Sequence, residues 1–120
     1  MKLYESAEDY LETILVLTER NGSVRSIDVA KDMNFSKPSV SVAMHKLEDS
    51  GYIVIKKDGT IILTEEGYQI ASSVYERHVI LSEVLISLGV SKEQAIEDAC
   101  KIEHDLSKES FEAIKRAINK

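Results

Sequence analysis

Residues 26–64 read SIDVAKDMNFSKPSVSVAMHKLEDSGYIVIKKDGTIILT, and the order of signals inside them decides the fold. Ser26 stands where it can cap a short helix carrying Ile27, Val29, Ala30 and Met33. Asn34-Phe35-Ser36 then makes a tight turn. Pro38 falls in the first turn of the next helix, where a missing N–H costs nothing. That helix places Val40, Met44 and Leu47 on one face and stops at Ser50-Gly51. Two β-rich runs follow, Tyr52–Lys56 and Thr60–Thr64, joined around Asp58-Gly59. The glycine supplies the positive φ that a tight hairpin needs. Helix, turn, helix and hairpin in this order, with basic residues in the second helix and the hairpin, spell a winged helix.

Outward from this stretch the pattern is helical on both sides. Ala7, Tyr10, Leu11, Ile14 and Leu15 recur at three- and four-residue spacing, predicting an amphipathic helix over 5–20 that ends at Asn21-Gly22. Downstream, Thr64 is placed to cap a long helix with Glu65 and Glu66 at its positive end. Its predicted apolar stripe is Ala71, Val74, Tyr75, His78, Leu81, Leu85 and Leu88, closed by Gly89. Ser91 with Gln94 has the spacing of a capping box opening a further helix to about Leu106, and a last helix carries Phe111, Ile114 and Ile118. The expected architecture is mostly α, with a winged helix-turn-helix domain over 1–66 and an all-helical domain over 67–120.

Composition narrows the function. The chain has 120 residues, 43% of them hydrophobic and 30% charged, an ordinary globular balance. No apolar run approaches a membrane span, no secretory h-region follows Met1-Lys2, and a single cysteine fits a reducing compartment, so a cytoplasmic location without membrane association is expected. The net charge of −6 runs against nucleic-acid binding until its distribution is read. Residues 20–57 carry seven bases against four acids, whereas residues 65–105 carry three bases against nine acids. A basic segment thus sits between acidic ones, able to meet phosphates while the acidic parts face cations.

With Val40, Met44 and Leu47 turned inward, Ser39, Val42 and Lys46 lie on the opposite face of the second helix of the motif, and His45 lies at its edge. Together with Ser36 and Lys37 in the turn they form the surface that would enter a major groove. Hydroxyls suit phosphates and base edges, Lys46 suits a phosphate or a guanine, and Val42 suits a thymine methyl. Lys56 and Lys57 flank the hairpin turn, where a wing follows the DNA backbone. Taken alone, an exposed valine is ordinary and edge lysines also block strand pairing.

A second constellation has the chemistry of metal binding. Cys100, Glu103 and His104 are spaced i, i+3 and i+4, so one helix face presents a thiol, a carboxylate and an imidazole. Glu103 lies beside the apolar stripe of Ile96, Ala99 and Leu106, where a bare carboxylate is costly unless a cation compensates it. Asp9 and Glu12 stand one turn apart on the first helix, and His78 lies on the stripe of the long one. Each alone has a plain structural reading: solvated acids, a core histidine, a small buried thiol. The joint set on three helices is what points to a divalent metal.

At these residues the sequence resembles the iron- and manganese-dependent repressors of the diphtheria toxin repressor family. Glu8-Asp9-Tyr10-Leu11-Glu12, Ser36-Lys37-Pro38-Ser39-Val40, Leu63-Thr64-Glu65-Glu66-Gly67, Arg77-His78 and Cys100-Lys101-Ile102-Glu103-His104 appear in family order over nearly the whole chain. The resemblance implies a homodimer held by the C-terminal helices, so that the second domain is one of dimerisation, and a palindromic double-stranded DNA operator. Metal would join the first helix to the dimerisation half and set the spacing of the two recognition helices. Asp9, Glu12, His78, Cys100, Glu103 and His104 fall on metal-ligand positions, and Ser36, Lys37, Pro38, Ser39 and Val42 on DNA-contact positions. Asp9 and Glu12 match the manganese branch, whereas Cys100 matches the iron branch. Ser82 and Ile96 replace the acid and imidazole of the iron branch's ancillary site, and the chain ends after the last helix, without that branch's SH3-like domain. Thiolate ligation tilts the expected metal toward Fe2+, with Mn2+ the alternative. The expected function is metal-dependent repression of metal-uptake and homeostasis genes, with no small-molecule substrate and no catalysis. Two other readings compete: a winged-helix regulator switched by a small molecule or by oxidation of Cys100, and a small metal-dependent hydrolase. The hydrolase lacks support from any phosphate loop, HExxH or Ser/His/Asp arrangement.

Overall fold

The computed structural model describes residues 5–119. Its elements are α1 (Glu5–Asn21), α2 (Ser26–Met33), α3 (Lys37–Asp49), β1 (Ile53–Ile55), β2 (Ile61–Leu63), α4 (Glu65–Ser87), α5 (Lys92–Asp105) and α6 (Lys108–Ile118). The chain divides into two compact units, Met1–Ser72 and Ser73–Lys120, with the boundary inside α4. No helix among the described residues is long and apolar enough to cross a membrane.

In the first unit α1 packs on α2 and β2, and α3 packs on α2 and β1. Leu11, Ile14, Val29, Val40, Met44, Ile53 and Ile61 form the centre of a continuous apolar core. The strands pair antiparallel in the register Ile53↔Leu63, Val54↔Ile62 and Ile55↔Ile61, which points Ile53 and Ile61 inward and Val54 and Ile62 outward. They are shorter than the five-residue runs the sequence predicts. Lys56 and Thr60 belong to the turn instead, closed by bonds from Lys56 N–H to the Thr60 carbonyl and from Gly59 N–H to the Lys56 carbonyl, with Gly59 at φ 90°.

The start of α2 corrects a second expectation. The cap residue is Arg25 and not Ser26, because an antiparallel bridge to Thr60 holds Arg25 extended and the helix begins immediately after it. Asp28 completes the start by accepting a bond from Arg25 N–H at 2.9 Å. At the other end Asn34 turns left-handed (φ 58°), letting Phe35 N–H reach the Ala30 carbonyl. Ser36 caps α3 as a helix start requires, accepting from Ser39 N–H.

Thr64 accepts from Gly67 N–H while donating to the Gly51 carbonyl, so it fastens the start of α4 to the end of α3. Gly67 is buried where the helix crosses the chain at Tyr52, and a Cβ there would land on the Tyr52 carbonyl. Absence of a side chain is what permits this approach.

The second unit buries Val74, Leu81, Ala95, Ala99 and Phe111, together with Ser82 and Glu103. Two members of the predicted α4 stripe lie in solvent, Tyr75 at 43% and Leu88 at 75% exposure. Val74, His78, Leu81 and Leu85 follow one line of the helix; Tyr75 is turned about 100° from it, and Leu88 lies past the last helical residue. Ser91 caps α5 by accepting from Gln94 N–H, but Gln94 sends its amide to Asp98 and not back to the cap, so the box is one-sided.

Candidate nucleic-acid interface and metal centre

The outer face of α3 is open. Ser36, Lys37, Pro38, Ser39 and Lys46 are exposed, and Val42 is 56% exposed in spite of its apolar side chain. Ser36 donates its hydroxyl proton to Ser39 Oγ, which leaves the Ser39 proton for an outside acceptor. The helix start adds its partial positive charge to the same place. Lys56 and Lys57 are exposed on the wing turn, which Asp58 stiffens by accepting from Thr60 N–H at 2.9 Å. Hydrogen bonding by the backbone and side chain of Thr60 holds the Asp58 carboxyl below its usual range.

Phe35 is an exposed member of this surface that the sequence reading treated only as part of the turn. It stands edge-on to Tyr10, ring centroids 6.0 Å apart, which anchors the turn to α1. Burial raises the Tyr10 phenol pKa, so that ring stays neutral. An aromatic residue beside a turn is too common a pattern to be read as a contact from sequence.

In the second unit α5 brings Cys100, Glu103 and His104 together, one donor atom of each within 4.8 Å of the others. Helical spacing accounts for this directly, since i, i+3 and i+4 share a face. Glu103 is 2% exposed and the His104 side chain 3%. Glu103 Oε1 lies 3.6 Å from His104 Nε2, and Glu103 Oε2 lies 3.6 Å from His78 Nδ1, which α4 contributes. A carboxylate withdrawn from water and flanked by two imidazoles has the polarity of a cation site. Thiolate, carboxylate and imidazole in one cluster are the donors of a first-row transition metal, and a hard alkaline-earth ion would want more oxygens. The residues therefore fit a divalent metal, which would join them by direct coordination.

The first unit holds the two remaining candidates. Asp9 and Glu12 sit one turn apart on α1, both half-buried, on the side away from the core residues Leu11 and Ile14.

Arg77 is the residue that sequence alone gave no means to place. Its Nη1 donates to the carbonyls of Glu103 (3.0 Å) and Leu106 (2.8 Å), and its guanidinium lies 5.1 Å from the centre of the Phe111 ring. These partners are 26 to 34 positions away along the chain, beyond the reach of any local pattern.

Both halves of the chain match known domains. Residues 2–61 match the iron dependent repressor N-terminal DNA binding domain, and residues 64–120 match the iron dependent repressor metal binding and dimerisation domain. The chain is 35% identical over 109 residues to the HTH-type transcriptional regulator MntR of Geobacillus kaustophilus, covering 91% of this chain and 77% of the relative. It is also 35% identical over 118 residues to an HTH-type transcriptional regulator of Methanocaldococcus jannaschii, covering 97% and 94% of the two chains. Among solved structures it is similar to a manganese-dependent transcriptional repressor in complex with manganese, with TM-score 0.85 and 25% identity. That match covers 94% of this chain and 52% of the other, so the chain spans about half the length of the solved protein.

Proposed function

Because the chain belongs to the iron-dependent repressor family, we propose that it is a metal-dependent DNA-binding transcriptional repressor that controls metal-uptake and homeostasis genes. The observation that carries this reading is the buried Glu103 between His78 and His104, with Cys100 on the same face, in a chain that also presents the open helix of a winged-helix motif. The family is one of transcriptional regulators, and the polar groups of the site are arranged to hold a cation; we assign the protein no catalysis and no small-molecule substrate.

In this reading Cys100, Glu103 and His104 hold divalent metal on one side of the Glu103 carboxylate and His78 on the other, with Asp9 and Glu12 of α1 as the remaining ligands. The metal thereby fixes the first unit relative to the dimer that the second unit forms. Apolar side chains that the second unit leaves in solvent, Tyr75, Ile86, Leu88, Ile96 and Ile102, suit a homodimer interface. Two recognition helices related by a two-fold axis require a palindromic operator in double-stranded DNA. On each half-site Ser36, Lys37, Pro38, Ser39, Val42 and Lys46 meet the major groove, while Lys56 and Lys57 meet the backbone. The place of action is the cytoplasm, where the DNA and the metal pool are.

The Cys100 thiolate favours Fe2+ over the harder Mn2+. The solved relative is a manganese complex, which favours Mn2+. Anaerobic titration with each ion, read by fluorescence anisotropy of labelled operator DNA, tests the reading and decides between the metals. Binding should need the metal and should weaken steeply with salt as phosphate contacts release counterions. Equal affinity in chelator and in saturating metal would refute it.

A further inference from the structure

We propose that Arg77 is a positioning residue for the metal site, holding the last turn of α5 so that the Glu103 carboxylate stands between His78 and His104. This rests on the metal reading of the cluster given above. Four backbone carbonyls at the end of any helix lack partners within it. At the end of α5, the cap residue Leu106 satisfies Ile102 with its N–H, and Arg77 satisfies the carbonyls of Glu103 and of Leu106 itself. A cation at this end also meets the negative pole of the helix. The guanidinium is itself held against the buried Phe111 ring of α6. One side chain of α4 thus ties together α5 and α6 at the turn that carries two donor groups.

The connection to the metal is short. Arg77 precedes His78, and the carbonyl it grips belongs to Glu103 itself. Rotation of that turn would carry the Glu103 carboxylate away from His78 and turn His104 with it. Ser82 acts on the same stretch of α4, donating its hydroxyl to the His78 carbonyl at 2.7 Å. Groups that orient ligands from outside the coordination shell are worth about 10–100-fold in metal affinity. Arg77 belongs to that class through the backbone and not through a ligand side chain.

The test uses the full chain with Co2+ as the probe, read by its thiolate charge-transfer and d–d absorption. Arg77→Met should lower Co2+ affinity about 10–100-fold and change the d–d spectrum, with Arg77→Lys in between. In the metal-free protein the same variants should speed hydrogen exchange of the last amides of α5. Lys115→Ala is the control, because it breaks the Lys115–Glu76 pair between α6 and α4 without touching α5. It should lower stability slightly and leave the Co2+ spectrum unchanged. A folded Arg77→Met with wild-type affinity and spectrum overturns the proposal. If that variant does not fold, Arg77→Lys decides it by the same criterion. Failure of the wild-type protein to bind Co2+ with a thiolate band removes the metal reading and this inference with it; an effect absent only in the variants removes Arg77 alone.

Discussion

The two units are built on opposite terms. In the first, the centre is large and apolar, with Leu11, Ile14, Val40, Met44, Ile53 and Ile61 all fully or almost fully buried. In the second, the buried positions of α5 are Ala95, Ala99 and Glu103, two of the smallest side chains and a carboxylate. One interior is closed by the hydrophobic effect and needs nothing further. The other gives an interior position to a carboxylate set between two imidazoles, His78 and His104.

The sharpest way to break this comparison is to attack each interior in turn. Ile14→Ala removes a fully buried side chain and should cost about 2–5 kcal/mol in chemical unfolding of the metal-free protein, with no change in metal preference. Glu103→Leu should do the reverse. An apolar group of similar size removes the cost of holding a charge out of water, so the metal-free protein should melt no lower than wild type. The variant should nevertheless lose the stabilisation that metal gives, about 2.7 kcal/mol at a hundredfold excess over Kd. A lower melting temperature of metal-free Glu103→Leu would mean that the carboxylate serves packing and that the two interiors are alike.

Smaller effects sharpen the boundary between scaffold and reading surface. Gly67→Ala forces a Cβ onto the Tyr52 carbonyl and should destabilise the first unit by about 1–3 kcal/mol, measured by urea unfolding. Lys46→Ala leaves the core untouched and should lower DNA affinity while reducing the slope of log affinity against log salt by about one. An unchanged slope would take Lys46 off the phosphate backbone. Least of all is the wing turn. Asp58 is held below its usual pKa by Thr60, so the turn gains from its ionised form at neutral pH. That contribution is present above the unfolded pKa and fades as pH falls through the lower folded one. The Thr60 amide resonance should accordingly titrate with a midpoint below that of an ordinary aspartate, and a normal midpoint would remove the bond.

Periodicity and turn chemistry were enough to read the winged helix, because Val40, Met44 and Leu47, the Asp58-Gly59 turn and Thr64 act on neighbours within a few positions. The α5 cluster was legible for the same reason: its three donors lie within five consecutive residues. Errors arose where a distant partner outvoted the local signal. Ser26 has the better capping side chain, yet the bridge from Arg25 to Thr60 moved the start of α2 by one residue. Tyr75 and Leu88 looked like stripe residues until the line through Val74, His78 and Leu81 turned out to be the buried one. Glu103, expected beside an apolar stripe, occupies the buried line itself with Ala95 and Ala99, while Ile96 is exposed.

From its amino acids alone this protein's element order, the open face of α3 and the thiol–carboxylate–imidazole face of α5 were already determined, because backbone hydrogen bonding and side-chain periodicity are short-range. The fold in three dimensions decided which of those groups lost their water, that His78 would meet Glu103, and that Arg77 would bind the end of a helix far along the chain. Desolvation and long-range contact are properties of packing, and packing is settled only when every helix has taken its place.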